Sequence, residues 1–344
     1  MTASKETDVF LVPAADPTVV AASPPTFSVV IAAYQAAGTI SEAVGSALGQ
    51  STPPLQVIVS DDGSTDDLAA ALAPFKDRIV VVREENAGAA AARNRGLAVA
   101  SGEFVAFLDS DDAWLPLYLE RLGALAAARP DLDLLSADVF YEADGEIIGR
   151  FYELNRFEVG NQRHAVLRTC FVGWPAVRRD RLVSIGGFDE SLRIAYDWDA
   201  WARLILSGGR AGLVLEPLAR YRLRPGSLAS DVPRSLRERV VFLDGLSRCP
   251  DLRPDDEAAL SAARRHAESR ARVAEATEAL AARAPGARRL AVDVALARGL
   301  DWKRRMLGFA AAVLPGLAGA ALRRRVAADS TGPDPRRSRI ERAR

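Results

Sequence analysis

The stretch FVAFLDSDDAW, residues 104–114, passes from apolar residues into three carboxylates, Asp109, Asp111 and Asp112. Like charges crowded at one point repel, so the cluster needs something to balance it. A hard divalent cation would serve: Mg²⁺ and Mn²⁺ take oxygen ligands and are held by one or two carboxylates together with substrate phosphates. Asp109 and Asp111, two positions apart, can turn toward one point if the strand ends in a bend. The alternative is structural, with Asp111 or Asp112 capping a helix that starts near Trp114. A second acidic run, SDDGSTDD at 60–67, contains Asp61 and Asp62 in a spacing that suits an Asx turn with Gly63 at positive φ. A third, YDWD at 196–199, places Asp197 and Asp199 at the start of a helix, where Asp197 suits the N-cap.

These carboxylates need a frame. Short apolar runs at 27–33, 55–60, 78–83 and 102–108 predict strands, and helical patterns fall between them at 39–49, 66–75 and 87–100, with another at 114–128. That alternation predicts an α/β fold with a mostly parallel central sheet and helices on both faces. Ligands of such sheets bind outside the carboxyl ends of the strands, where the first two acidic runs fall. Beyond 131 the rhythm changes. Asp144-Gly145 predicts a hairpin, Gly186-Gly187 a turn with close backbone approach, 197–209 a helix with a glycine stop, and 210–227 two short extended pieces. After Asp231 the chain is rich in Ala, Arg, Leu and Glu and reads as helical, with a break at Pro285-Gly286. The predicted organisation is a flexible leader (1–25), an α/β domain (26–230), a helical C-terminal extension (231–325) and a disordered basic tail (326–344).

Composition removes several functions. Lys plus Arg equals Asp plus Glu at 45 each, so no global field marks a nucleic-acid binder. Two cysteines, Cys170 and Cys249, make neither a disulfide framework nor a zinc site, which fits a reducing, cytoplasmic setting. No dinucleotide fingerprint or P-loop follows a strand. A phospho-accepting signalling domain fails for want of a Lys after a late strand. His164 and His266 match no catalytic or metal spacing.

Five segments in order, FSVVIAAYQAAGTISEAVGSALGQ, VIVSDDGSTDD, NAGAAAARNRGLAVASGEFVAFLDSDDAWLP, IGGFDESL and YDWDAWARL, resemble the inverting family 2 glycosyltransferases of the GT-A fold. The resemblance covers residues 27–227. It implies transfer of a sugar from a nucleotide-diphosphate sugar to an acceptor hydroxyl, in cell-surface polysaccharide or glycoconjugate synthesis. Asp109 and Asp111 then hold Mg²⁺ or Mn²⁺, with Asp112 left as a helix cap. Ala32, Tyr34, Asp61, Asp62, Arg93, Ser110 and Arg224 bind the nucleotide sugar: Tyr34 lines the nucleoside pocket, Asp62 accepts a hydrogen bond from the base with Asp61 in support, and Arg93 reaches base and diphosphate. A lone Arg93 on an Ala-rich helix would otherwise read as a solvated face. Asn94 shapes its own helix. Asp197 becomes the general base, with Asp199 as competitor. A UDP-sugar is the commonest donor of the family, and saccharide or lipid-linked acceptors are implied.

Two positions depart from the family pattern. Tyr196 stands where Glu often precedes the base. Arg224 stands where many relatives carry His; an always-charged guanidinium cannot ligate metal, and either contacts a phosphate or lies on the surface. A non-catalytic nucleotide-sugar binding or scaffold protein is the alternative these departures raise. Trp174 and Trp198 stack on a sugar ring or pack. Met306 to Leu322 is apolar, flanked by Lys303, Arg304 and Arg305 and by Arg323, Arg324 and Arg325, and interrupted by Pro315. Too short to span a bilayer, it either docks on the inner face of the cell membrane or packs against protein.

Overall fold

A computed structural model describes residues 24–155, 159–170, 173–223, 232–297 and 302–322. The expected tail (326–344) and most of the expected leader (1–25) lie outside them. The chain divides into two compact units, Met1–Arg224 with Cys249–Leu252, and Pro225–Arg248 with Arg253–Arg344.

The first unit is built on a nine-stranded sheet. Its parallel half comprises β1 (Phe27–Ala33), β2 (Gln56–Asp61), β3 (Val80–Arg83) and β4 (Phe104–Asp109) in the order β3-β2-β1-β4. Helices α1 (Ile40–Leu48), α2 (Leu68–Leu72) and α3 (Ala89–Val99) connect these strands, as the alternation predicts. Both faces of the sheet are covered. Val29 and Ile31 of β1 join the core that contains Ile40 and Val44 of α1, whereas Val30 points at α3, where a Cβ on Gly96 would come within 2.4 Å of its side chain. Gly96 is what lets helix and strand approach so closely.

The sheet continues through β8 (Ala176–Arg178), β6 (Leu134–Ala143), β9 (Ala211–Arg222) and β5 (Ala113–Trp114), with β7 (Glu146–Arg150) on the side of β6. β6 runs parallel to β9, and β8 is antiparallel to both β4 and β6. The β6–β7 hairpin turns at Asp144 (φ 52) and Gly145 (φ 82), both left-handed as an Asp-Gly turn requires. In chain order the remaining helices of this unit are α4 (Tyr118–Ala128), α5 (Phe151–Leu154), α6 (Gln162–Arg168), α7 (Arg179–Ser184) and α8 (Tyr196–Leu206).

Two elements differ from expectation. The two short pieces expected over 210–227 are one 12-residue strand, β9, whose pairing with β6 slips around Pro217. Proline has no N–H to give the ladder, so the strand bulges there instead of ending. The helix expected from Trp114 begins at Tyr118, because Ala113 and Trp114 first pair with β9.

The second unit is helical: α9 (Val232–Leu246), α10 (Pro254–Ala282), α11 (Ala287–Leu296), α12 (Trp302–Val313) and a last helical stretch, Pro315–Leu322. Arg283 (φ 53) and Gly286 (φ 87) reverse the chain between α10 and α11, beside the expected break.

Candidate active site

Strand register assembles the site. Ala32, at the end of β1, pairs with Ser60 on one side and with Asp109 on the other, and Ala33 pairs with Asp61. Three strands therefore end on one line, and the residues that follow β1, β2 and β4 project from it.

The loop after β2 is held from many directions. Asp61 accepts from the backbone N–H of Ser64 at 2.8 Å and from Arg83 at 2.9 Å. Gly63 adopts φ +73, and a Cβ there would lie 2.8 Å from the backbone nitrogen of Asn86, so the Asx turn requires glycine. Asp62 accepts from the backbone N–H groups of Ala87 (2.9 Å) and Gly88 (2.8 Å) at the entrance to α3 and pairs with Arg95. Both carboxylates are buried and fully engaged with protein. Beside them Tyr34 is 53% exposed, its neighbour Gln35 being tied to Thr65 of the same loop.

The loop after β4 is arranged differently. Asp109 and Asp111 are half-buried, and Asp109 pairs with Arg93 of α3. The Arg93 guanidinium sits 4.8 Å from the ring centre of Tyr196 and about 6 Å from those of Phe188 and Phe107. Burial works against its charge, but the fields of Tyr196, Asp109 and Asp197 outweigh burial and hold it firmly protonated. Arg93 is thus a buried cation enclosed by aromatic faces and acids, not the solvated residue its Ala-rich surroundings suggest.

Asp112 does not cap α4, whose N-cap is Leu117. It is buried and accepts from the backbone N–H of Arg222 at 2.9 Å and from the Trp174 indole at 3.1 Å. Burial and the charges of Asp109 and Asp111 raise its pKa well above the usual carboxylate range. Tyr221 is raised by burial and by the same three carboxylates, Asp112 first among them. Besides burial, the charges of these carboxylates therefore act on one another and on Tyr221. Among the described residues no group of three or more His, Cys, Asp and Glu is placed to hold a metal ion alone.

Asp197 is the second residue of α8, not its cap; the cap position belongs to Ala195. Its carboxylate accepts the backbone N–H of Trp198 at 2.6 Å. Burial raises its pKa, Arg93 opposes that, and Asp109 adds to it. Asp199, also raised by burial, is committed to Arg203, 2.8 Å from Nε, and Arg203 in turn donates to the carbonyls of Ile185 and Gly187.

Other residues resolve into framework. Trp198 donates its indole N–H to the Val166 carbonyl, and Trp174 packs 4.7 Å from the ring centre of Tyr221, so both are held by packing. Gly187 (φ +69) is required by Asn94: a Cβ would stand 2.6 Å from Asn94 Oδ1, and Asn94 pins the loop through Phe188 and Glu190. The close approach expected at Gly186-Gly187 is thus to α3. Arg224 lies outside the described residues, whereas Arg222, two positions earlier, reaches Glu142, Glu42 and the carbonyl of Asp111. Sequence reasoning misses Arg222 and Arg95. Arg95 sits in the ARNRG segment, and its spacing from Arg93 is the available signal.

Residues 28–184 match the family described as Glycosyl transferase family 2. The succinoglycan biosynthesis protein ExoU of Rhizobium meliloti is 34% identical over 213 residues, 56% of this chain and 61% of its own length, so the chain spans less than two thirds of that relative. The UDP-Glc:alpha-D-GlcNAc-diphosphoundecaprenol beta-1,3-glucosyltransferase WfaP of Escherichia coli is 30% identical over 211 residues, covering 59% of this chain and 80% of that protein. Among solved structures, the mannosyltransferase PcManGT of Pyrobaculum calidifontis, in complex with GDP-Man and Mn²⁺, superposes with a TM-score of 0.59 over 93% of this chain and 84% of that one, at 21% identity. With the strand-end carboxylates placed on a GT-A sheet, these matches establish that the chain belongs to glycosyl transferase family 2.

Proposed function

We propose that this chain transfers a sugar from a nucleotide-diphosphate sugar to an acceptor hydroxyl with inversion, in the cytoplasmic assembly of a cell-surface polysaccharide or glycoconjugate. The observation that carries this reading is the setting of Asp197: a half-buried carboxylate whose pKa is raised by desolvation against the pull of Arg93, in the field of Asp109 at the end of β4, and held by the Trp198 N–H, whereas Asp199 is tied to Arg203. A base needs its proton affinity lifted toward working pH, and burial supplies that.

Asp197 takes the proton of the acceptor hydroxyl as that oxygen forms its bond to the anomeric carbon. The bond from that carbon to the diphosphate oxygen breaks on the opposite side, and its electron pair leaves with the diphosphate. In-line attack inverts the centre. Tyr34 offers an exposed ring for the nucleoside beside the rigid Asp61–Asp62 loop, and Arg93 presents fixed positive charge where the diphosphate arrives. Ala32 and Ser110 border this line at the ends of β1 and β4.

Asp109 and Asp111 fit a divalent metal: two half-buried oxygen donors lie two positions apart at the end of β4, in a patch where burial first and then these carboxylates raise Asp112 and Tyr221. Mg²⁺ or Mn²⁺ held there would neutralise charge developing on the leaving diphosphate. The complex of the Pyrobaculum mannosyltransferase with GDP-Man and Mn²⁺, and the UDP-Glc in the name of the E. coli relative, support a metal-assisted nucleotide-sugar reaction. A UDP-sugar is the first donor to test, with a lipid-linked saccharide as acceptor.

The deciding experiment is nucleotide release from UDP-glucose and GDP-mannose with Mn²⁺ and a panel of acceptors. Asp197→Asn should lower turnover by roughly 10²–10⁴-fold while donor binding persists. Undiminished turnover in that variant would remove Asp197 from the mechanism. Metal-dependent nucleotide binding with no turnover on any acceptor would replace the enzyme with a nucleotide-sugar binding protein.

A further inference from the structure

In the helical unit, α12 has two unlike faces. Gly308, Ala311 and Ala312 are buried in a small core with Ala287 and Ala291 of α11 and Leu280 of α10. A Cβ on Gly308 would lie 2.8 Å from the backbone nitrogen of Ala295, so the two helices touch through small residues. The opposite face carries the large side chains. Trp302 (70% exposed), Met306, Phe309 and Val313 recur at spacings of four, three and four, a single exposed stripe at the helical period, and Leu307 is exposed further round the helix. Lys303 and Arg305, by the same period, fall on the two flanks of that stripe, both exposed. Leu314 and Leu317 continue the exposed apolar surface past the bend, and the sequence then runs into Arg323, Arg324 and Arg325.

Burying small residues and exposing large ones inverts the arrangement of an ordinary surface helix. A soluble surface seldom leaves so many large apolar side chains contiguous. We propose that the outer face of α12 and the Pro315–Leu322 helix form a docking surface for an anionic lipid bilayer, lying in its interface. The flanking cations select the lipid as occupant: apolar side chains enter the acyl boundary while Lys303 and Arg305 stay at the level of negatively charged headgroups. The shape of the segment favours lying in the interface over a straight span. α12 and the Pro315–Leu322 helix are bent by 117° at their junction, and among the described residues no single helix is long and apolar enough to span. The 12 residues of α12 measure about 18 Å against a hydrocarbon core of about 30 Å.

Docking on lipid does not depend on the glycosyl transfer proposed above and is measured without it. The full chain is sedimented with phosphatidylcholine vesicles and with vesicles holding about one third phosphatidylglycerol. Sedimentation with the anionic vesicles only, weakened when salt shortens the Debye length from about 10 to about 3 Å, is the expected result. Met306→Ser/Phe309→Ser, both exposed on the stripe, should weaken that partition at least about tenfold with an unchanged melting temperature. Lys303→Gln/Arg305→Gln should weaken binding to the anionic vesicles and leave the salt dependence flatter. Absence of sedimentation with anionic vesicles overturns the proposal, as does sedimentation untouched by the serine substitutions. A wild-type dimer that these substitutions turn into a monomer, with no vesicle binding, would assign the face to a second copy of the chain instead.

Discussion

The loops after β2 and β4 both present consecutive aspartates at a strand end, yet they are in opposite electrostatic states. Asp61 and Asp62 are each met by backbone N–H groups and an arginine, so their charge is spent on holding the turn and the entrance to α3. Asp109, Asp111 and Asp112 face the cations Arg93 and Arg222, and Arg222 divides its guanidinium between Glu42 and Glu142. Burial first, and then repulsion from these carboxylates, raises the pKa values of Asp112 and Tyr221. A satisfied carboxylate builds; an under-compensated one is available to a ligand that brings positive charge. The first loop is therefore read as scaffold for the nucleoside pocket and the second as the place where charge is handled.

That contrast predicts that equivalent substitutions separate activity from stability. The largest effect belongs to the second loop. Asp111→Asn should reduce turnover by at least about a hundredfold, the scale of losing one charge-stabilising group, with a melting temperature close to that of the parent. Steady-state nucleotide release and a thermal melt on one preparation decide it, and a large fall in melting temperature would erase the distinction. Next comes Asp62→Asn, which puts an N–H₂ group among donors that need an acceptor and leaves the half-buried Arg95 with the exposed Glu84 as its remaining carboxylate partner. The expected loss is about 3 kcal/mol of stability. For a unit of this size that is roughly a 6–12 °C drop in melting temperature. Any loss of turnover should follow the unfolded fraction.

Much of this was legible in the sequence. The parallel half of the sheet announced itself through short apolar runs, since a strand buried on both faces has little room for other residues. The positions of Asp109, Asp111 and Asp197 followed from motif order. What stayed hidden were long-range partners. Asp112 looks like a helix cap because capping is local, and nothing near it announces that the backbone N–H of Arg222 and the indole of Trp174 will occupy its carboxylate. Arg93 reads as solvated until α8 and β4 bring Tyr196 and Phe107 over it. Gly187 reads only as a turn with close backbone approach until Asn94 is seen as what it approaches. β9 reads as two pieces because Pro217 interrupts its pattern, and only pairing with β6 carries the strand across.

The smallest predicted effect tests whether Arg93 links the two sides of the second site. Asp197 is pushed up by burial and by Asp109 from β4, and pulled down by Arg93 from α3 and the Trp198 N–H in its own helix, with the Tyr196 phenol as the remaining titratable group nearby. Because the unprotonated carboxylate is the working form, turnover should rise with pH through a limb lying above the ordinary aspartate range. Removing the guanidinium removes an interaction that favours the charged carboxylate, so Arg93→Gln must move that limb to higher pH while also lowering its plateau. Arg93→Lys, which restores charge without the planar contact to Tyr196, should return the limb most of the way and the plateau less. A pH profile of kcat in the three proteins separates the outcomes. A limb that stays fixed when the charge is lost would mean that Arg93 serves Asp109 and the diphosphate alone, and that the base is tuned by burial without it.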